Sequence, residues 1–449
     1  MKFFLLLILG AAVAYANNDL LKEFSDGNRI FSANVYKEMK KTNSGNFLVC
    51  PLSVDVVLAL VHAGARGETA KQLSAGLQLP EDHQKVQAIF KELSPKLRGN
   101  EHYTLSSANK VYLAEGFKVS DEFNSVAVNV FQSEIENINF AQSKASANEM
   151  NKWVEEKTHD KIKNLIKEDD LSEDTIAVLI NALYFKGSWV KQFSEYGTRK
   201  QPFYVTKENQ VDVDMMEITE FYNYYEDSTL NAKFLEMPYK GEDISMTFVL
   251  PNDVDGLGAL EDKIEAALAT PKYTNERVHV QLPKFKIEST IQFIPILQKL
   301  GVKDLFENNA DLSGIGANKQ NLTVTKVIQK AFIEVEEKGT TAAAATAVTL
   351  GIARNSPFAE YVTFHADHPF MFYVTDETNG VTFMELNGYF EEFVLFFDDV
   401  YAKKYSKYIH VDLETVPPLR KKLFLLHDYE TIKHQIFPKS SRKDDVSQN

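Results

Sequence analysis

Apolar positions along this chain follow two different periods. Phe31, Val35 and Met39 recur at helical spacing, as do Val54, Val57, Leu58 and Val61 behind Pro51, and Met150 and Val154 with Trp153 alongside. Other stretches have strand character. Ile244-Ser-Met-Thr-Phe-Val-Leu250 stops at Pro251, Val278-His-Val-Gln-Leu282 alternates up to Pro283, and Phe370-Met-Phe-Tyr-Val374 is an apolar run of strand length. The two patterns are interspersed, with no Pro/Ser/Gly-rich linker, repeat or low-complexity block between residue 17 and about 385. That arrangement predicts a single α+β domain.

Two segments break the pattern. From Gly339 to about residue 366 the chain reads Gly-Thr-Thr-Ala-Ala-Ala-Ala-Thr-Ala-Val-Thr and then passes through Gly351, Arg354, Asn355, Ser356 and Pro357. This is long for a connection inside a compact domain, and such segments are usually functional or disordered. From about Phe390 a tail mixes acidic and basic residues with the apolar runs Phe393-Val-Leu-Phe-Phe397 and Leu423-Phe-Leu-Leu426. No role can be read from it.

Composition narrows the class. Forty-nine basic against 63 acidic residues give a net charge of −14, which repels phosphate backbones and anionic lipid, so neither nucleic acid nor membrane is expected as a partner. Lys2, the apolar stretch from Phe3 to Val13 and the end Ala14-Tyr15-Ala16 read as a signal peptide over residues 1–16. The expected product is therefore a secreted, extracellular protein, acting as a monomer. Cys50 is the single cysteine of the 449 residues, so internal disulfides are excluded and packing must supply stability.

The motifs of catalysis are missing. There is no G-x-S-x-G elbow, phosphate-binding glycine loop or H-E-x-x-H, and no spaced cysteine set, so neither an enzyme nor a cofactor is expected. His365 and His368 flank Asp367 at a spacing that allows a metal corner, but two histidines before a strand beginning at a Pro-Phe pair are more often turn residues. Asn321-Leu322-Thr323 is the sequon for N-glycosylation in the mature chain.

The informative segment is Glu336-Glu-Lys-Gly-Thr-Thr-Ala-Ala-Ala-Ala-Thr-Ala-Val-Thr-Leu350. Alanine favours helix, but four alanines hemmed by threonines and a glycine make a poor one. As a strand, alternation would place Thr340, Ala342, Ala344, Thr346, Val348 and Leu350 on one face, nearly all of them small. Such a strand could slide between two neighbouring strands, with Gly339 as its pivot.

With these residues in view, the chain resembles the serpins, a family of secreted serine protease inhibitors, across roughly residues 20 to 384 and in an arthropod-like form, which implies a serpin domain over 17–388. Glu337-Lys338-Gly339-Thr340 and the alanine run through Ala343 and Ala345 are similar to the hinge of the family's reactive loop, which would occupy about 339–363. Asn181-Ala-Leu-Tyr-Phe-Lys-Gly-Ser-Trp189 resembles the strand that ends in a tryptophan under the loop's entry point. Asn46-Phe-Leu-Val-Cys-Pro-Leu-Ser53, Leu282-Pro-Lys-Phe-Lys-Ile287 and Phe364-His-Ala-Asp-His-Pro-Phe370 resemble further family segments. Ser53 and Asn181 match the polar shutter beneath the central sheet. Cys50 stands where Ser is usual and Gln329 where His is common, although an amide, which both donates and accepts, can serve in such a network. The family closes with a Phe-Met-Gly strand. Here Phe383-Met384 runs on to Glu385-Leu-Asn-Gly388, and 389–449 is an extension without counterpart.

The resemblance implies eight to nine helices, three β-sheets and an exposed reactive loop. It also implies a trap: a protease cleaves the loop and is held as its acyl-enzyme while the loop inserts into the sheet. Counting from Gly339 by the usual loop length lands on Ala353-Arg354, which suits an elastase-like enzyme. The segment is about two residues longer than usual, and Arg354-Asn355 is favoured because an exposed Arg is the strongest specificity element present, pointing to a trypsin-like protease. The alternative is a non-inhibitory carrier or storage member. Such members tend to carry charged or bulky hinge residues, whereas this hinge is uniformly small.

Overall fold

The computed structural model describes residues 2–388 except 44, 98, 317–321, 340–359 and 377–380; for 2–19, 96, 97, 381 and 383–388 it describes the backbone alone. The strand Ala177–Gly187 is apolar on both faces, with Asn181 as the one polar side chain between Ala177 and Phe185. A run of that kind needs cover above and below. It lies at the centre of a five-stranded sheet ordered Phe285–Gln292, Lys326–Val335, Ala177–Gly187, Tyr103–Ala114, Glu134–Ile138. Its even residues Val178, Ile180, Ala182 and Tyr184 join a core with Met150 and Val154 of the helix Ser143–Lys157 and with Ile162, Leu165 and Ile166 beyond it. Its odd residues face the helix Pro51–Gly64, in which every residue but Ala63 is buried. A helix apolar all round, started by a proline whose fixed φ suits the first turn, belongs inside the body.

The outer helix is also tied down by charge. The buried Lys110 ammonium lies 2.6 Å from Glu136 and 3.1 Å from Glu134, and 5.0 Å from the centre of the Trp153 ring. Trp153 donates its ring N–H to Glu134 at 2.9 Å, and Lys157 pairs with the same carboxylate at 2.7 Å.

The remaining strands form one ladder ordered Phe47–Val49, Val381–Gly388, Phe370–Asp376, Ile244–Pro251, Ala232–Pro238, Asn209–Asp227, Thr274–Pro283, Val362–His365, with Arg199–Thr206 also paired to Asn209–Asp227. The long strand Asn209–Asp227 makes it continuous, since it pairs with Ala232–Pro238 near its end and with Thr274–Pro283 over most of its length. Thus the sheets expected beside the central one are hydrogen-bonded to each other. The closing strand is complete despite its departure from Phe-Met-Gly: Glu385, Leu386 and Asn387 pair with Val49, Leu48 and Phe47 on one side, and Met384 pairs with Val374 on the other. Among the described residues no helix is long and apolar enough to cross a membrane.

One buried carboxyl stands out. Asp55, fully buried two residues beyond Ser53, accepts from the Asn28 amide of the helix Lys2–Thr42 at 3.0 Å. Its second oxygen, the Asn28 amide oxygen and the Ser32 hydroxyl are buried without a hydrogen-bond partner. Burial pushes the carboxyl well above its ordinary value, and the single bond from Asn28 offsets only part of that rise. A raised folded-state value means that the stabilising contribution is complete below the unfolded value of about 4 and is lost as pH rises through the folded value. Asp55→Asn removes that titration and keeps a polar amide in place. Its unfolding free energy should therefore match the wild type near pH 4 and exceed it increasingly towards pH 8, by on the order of 1 kcal/mol or more, with the thermal midpoint rising in step; a gap independent of pH would contradict this assignment.

Candidate functional site

The site begins where two central strands stop pairing. Lys326–Val335 runs parallel to Ala177–Gly187 in register from Lys326↔Val178 to Phe332↔Tyr184, and beyond that point the partners part. Trp189 fills the head of the seam. It is fully buried and stacks on Tyr239 with ring centres 4.3 Å apart and planes at 16°. Gly187 is required here, because a Cβ at that position would lie 2.6 Å from the Tyr239 ring.

After Val335 the chain bends back on itself. Glu336 N–H donates to the Gly339 carbonyl at 2.9 Å, and Gly339 N–H donates to the Glu336 carbonyl at 3.0 Å. The carbonyls of 336, 337 and 338 are all held by donors from the segment 189–193. Trp189 Nε1 reaches Glu336 at 3.2 Å, Phe193 N–H reaches Glu337 at 2.9 Å, and Trp189 N–H reaches Lys338 at 3.0 Å, where the Gln192 amide also donates at 3.1 Å. Gly339 has φ +132°, and a Cβ there would sit 2.1 Å from the Gly187 carbonyl oxygen. No residue with a side chain fits that pivot.

Charge secures the same bend. The buried Glu337 carboxylate pairs with Lys284 at 2.8 Å and accepts from the Thr198 hydroxyl at 2.6 Å, while Lys338 pairs with Glu195 at 3.0 Å. Burial alone would raise the Glu337 carboxyl, but the bonds from Lys284 and Thr198 outweigh it and hold the group below its ordinary value.

Lower in the seam lies a cluster of buried polar side chains. Gln329 is fully buried and in register opposite Asn181. Its amide donates to the Cys50 carbonyl at 2.8 Å and to Asn181 Oδ1 at 2.7 Å, and its oxygen accepts from Cys50 N–H at 2.9 Å. Asn181 in turn donates to the Ser53 carbonyl at 3.0 Å, to the Ser53 hydroxyl, and to Asn109 Oδ1 at 2.6 Å. Ser53 and Ser107 share a hydrogen bond at 2.9 Å. A glutamine thus closes this network without histidine, using the backbone of Cys50 on both sides.

The structure brings together Ser53, Asn181 and Gln329 in one cluster and Trp189, Glu337 and Gly339 in another. The expected loop residues Thr340, Ala342, Ala343, Ala344, Ala345, Ala353, Arg354 and Asn355, the sequon residue Asn321 and the extension 389–449 lie outside the described residues. His365 and His368 occupy a turn: His368 contacts Asp367 at 2.7 Å and the Pro251 carbonyl at 2.7 Å through its two ring nitrogens, and His365 lies 3.6 Å from Asp367. Among the described residues no cluster of three metal-ligating groups exists. Lys284, Thr198, Tyr239, Ser107 and Asn109 belong to the site without having been singled out from sequence. Only Lys284 had a signal, its place inside Leu282-Pro-Lys-Phe.

Glu337→Ala should lower the unfolding free energy near pH 7 by about 1–3 kcal/mol, the usual effect of losing charge-assisted hydrogen bonds at a buried carboxylate. A depressed folded-state value gives a contribution that is present above about pH 4.3 and lost as pH falls through the folded value. The gap between wild type and variant, followed by Trp fluorescence, should therefore close on acidification; a gap that persisted at pH 3 would mean that the ion pair is not its source.

Comparison with known proteins agrees with this geometry. The family model "Serpin (serine protease inhibitor)" matches residues 26–385. The chain is 37% identical to antichymotrypsin-2 of Bombyx mori over 84% of its own length and all of that protein, and 38% identical to alaserpin of Manduca sexta over 83% and 96% of the two chains. The crystal structure of Serpin48, described as a highly specific serpin of Tenebrio molitor, superposes with a TM-score of 0.76 at 42% identity, covering 82% of this chain and 98% of that one. A shared fold, a glycine pivot seated beneath a buried tryptophan and a polar cluster under the parting strands place the chain in one family: it is a serpin.

Proposed function

We propose that this serpin is a secreted, monomeric inhibitor of trypsin-like serine proteases that acts as a suicide substrate. The observation that carries the proposal is the seam: a parallel pair of strands at the sheet's centre, with the root of the reactive loop already bent over its head at Gly339. A segment turning back there runs antiparallel to both flanking strands, so insertion exchanges one parallel pairing for two antiparallel ones. The name of the Bombyx mori relative, antichymotrypsin-2, supports a serine protease as partner.

In the proposed reaction the protease supplies the catalysis. Its serine hydroxyl attacks the Arg354 carbonyl, the Arg354–Asn355 bond breaks, and the amine of Asn355 leaves with the proton taken up by the protease histidine. The ester that remains would be hydrolysed by water unless the loop inserts first and carries the protease away. Small residues at 340–347 leave little to obstruct that movement.

Incubation with trypsin-, elastase- and chymotrypsin-like enzymes should give a complex with the trypsin-like one that survives denaturing electrophoresis, and the released C-terminal fragment should begin at Asn355 by mass spectrometry. A fragment beginning at Arg354 would move the bond to Ala353-Arg354 and the target to an elastase-like enzyme. Ala342→Glu, which would bury an unpaired charge on insertion, should turn inhibition into simple cleavage, while Thr341→Glu, on the other face, should still inhibit. Failure of every enzyme to form a complex would overturn the proposal.

A further inference from the structure

Two histidines meet face to face where three helices come together. His62, fully buried near the end of the helix Pro51–Gly64, stacks on His83, the first residue of the helix His83–Leu93, with ring centres 4.4 Å apart and planes at 19°. The helix Gly67–Leu77, which lies between them in the chain, brings the Ser74 hydroxyl. That hydroxyl is bonded to His62 Nε2 at 2.8 Å and to the Pro80 carbonyl at 3.4 Å. Nδ1 of each ring is buried without a hydrogen-bond partner among the described residues.

Such a stack suits neutral rings. A neutral imidazole can leave one nitrogen as an unused acceptor, whereas the protonated ring carries an N–H on both nitrogens. Protonating either ring here buries a charged donor that has nothing to bond, against a second ring that titrates in the same range. The surroundings add to that cost. Arg66, whose guanidinium is fixed on the carbonyls of Ala63 and Ala65 at 3.0 and 2.7 Å, sets a positive charge near both rings. Asp82 opposes it at His83, but its carboxylate already caps its own helix, accepting from Gln84 N–H at 2.8 Å. The helix Lys2–Thr42 meets His83–Leu93 through Phe24 on Phe90, an apolar contact with ring centres 5.3 Å apart. Burial, then the neighbouring ring and Arg66, lowers His62 to about 4, and His83 is lowered by burial and Arg66.

We propose that His62 and His83 form an acid-release catch: on mild acidification the rings part, and the start of the helix His83–Leu93 undocks from the helix Pro51–Gly64. The catch holds whether or not the chain inhibits a protease. It bears on the seam all the same, because the other end of Pro51–Gly64 anchors Gln329 and Asn181 through Cys50 and Ser53. Unfolded histidine titrates near 6.5, so the contribution of the neutral pair is complete above about that value and is lost as pH falls towards 4.

Hydrogen exchange of the full chain near pH 7 and near pH 5, with labelling times scaled for the intrinsic rate, tests this directly. Amides of 83–93 should lose protection at the lower pH in the wild type. They should keep it in His62→Gln/His83→Phe, which retains a partner for Ser74 and a ring for the stack. Denaturant titrations give the size of the effect: the folding constant of His62→Gln relative to wild type should rise about tenfold per unit between pH 6 and pH 5, the effect of one proton. His83→Phe, at a half-buried position, should shift the ratio in the same direction and decides the matter if the variants at His62 do not fold. Unchanged protection near pH 5 in the wild type, or equal loss in the double variant, would overturn the catch, as would a ratio for His83→Phe that is flat with pH.

Discussion

The pairing of Lys326–Val335 with Ala177–Gly187 is the interaction on which the rest depends. It is the parallel contact at the centre of a sheet whose flanking pairs, to Phe285–Gln292 and to Tyr103–Ala114, are antiparallel. Parallel pairing is slightly weaker per residue than antiparallel pairing, and this one ends at Phe332↔Tyr184, short of the end of both strands. The sheet can therefore gain hydrogen bonds by admitting one more strand. Under the proposed inhibitor mechanism, everything else at the site bears on whether that happens before or after a protease has cut the loop.

Two clusters resist early opening, and they do so differently. At the head of the seam Glu337, Lys284 and Thr198 hold the loop root by charge-assisted bonds, while Gly339 supplies a backbone shape that no other residue could adopt in that space. Lower down, the bond from Gln329 to Asn181 spans the seam itself, and each of the two is anchored separately to the helix side through Cys50 or Ser53. Parting the strands there would break that side-chain bond along with the backbone ladder from Lys326 to Phe332, while the side-chain anchors to Cys50 and Ser53 lie on the helix side and need not break. Asp55 sits two residues beyond Ser53 with one carboxyl oxygen unsatisfied. A buried carboxyl of this kind costs the folded protein stability once it is ionised.

Much of this was legible in the sequence, and what was not has a physical reason. Pro51 and the apolar helix after it and the strand runs ending at Pro251 and Pro283 are local signals, and the fold places each in the expected kind of element. The partners of Glu337 and Gln329 are not local. Lys284 and Thr198 meet Glu337 only because three separate strands end at one place, and Gln329 is satisfied mostly by the backbone of Cys50, which no side-chain pattern can announce. Asp55 lies within an otherwise apolar helical run, where sequence alone gives no sign of its isolation from charge. The stacking of His62 on His83 is likewise visible only once the helices that carry them are packed together.

The central claim is that the seam is held closed short of its most stable arrangement. Cutting the loop with a protease that is not trapped frees the segment after Gly339, and scanning calorimetry of intact and completely cleaved protein compares the two arrangements directly, with denaturant midpoints as a second probe where scans are irreversible. The account predicts a higher transition after cleavage, contrary to the usual effect of nicking an ordinary domain. An unchanged or lower transition would contradict it.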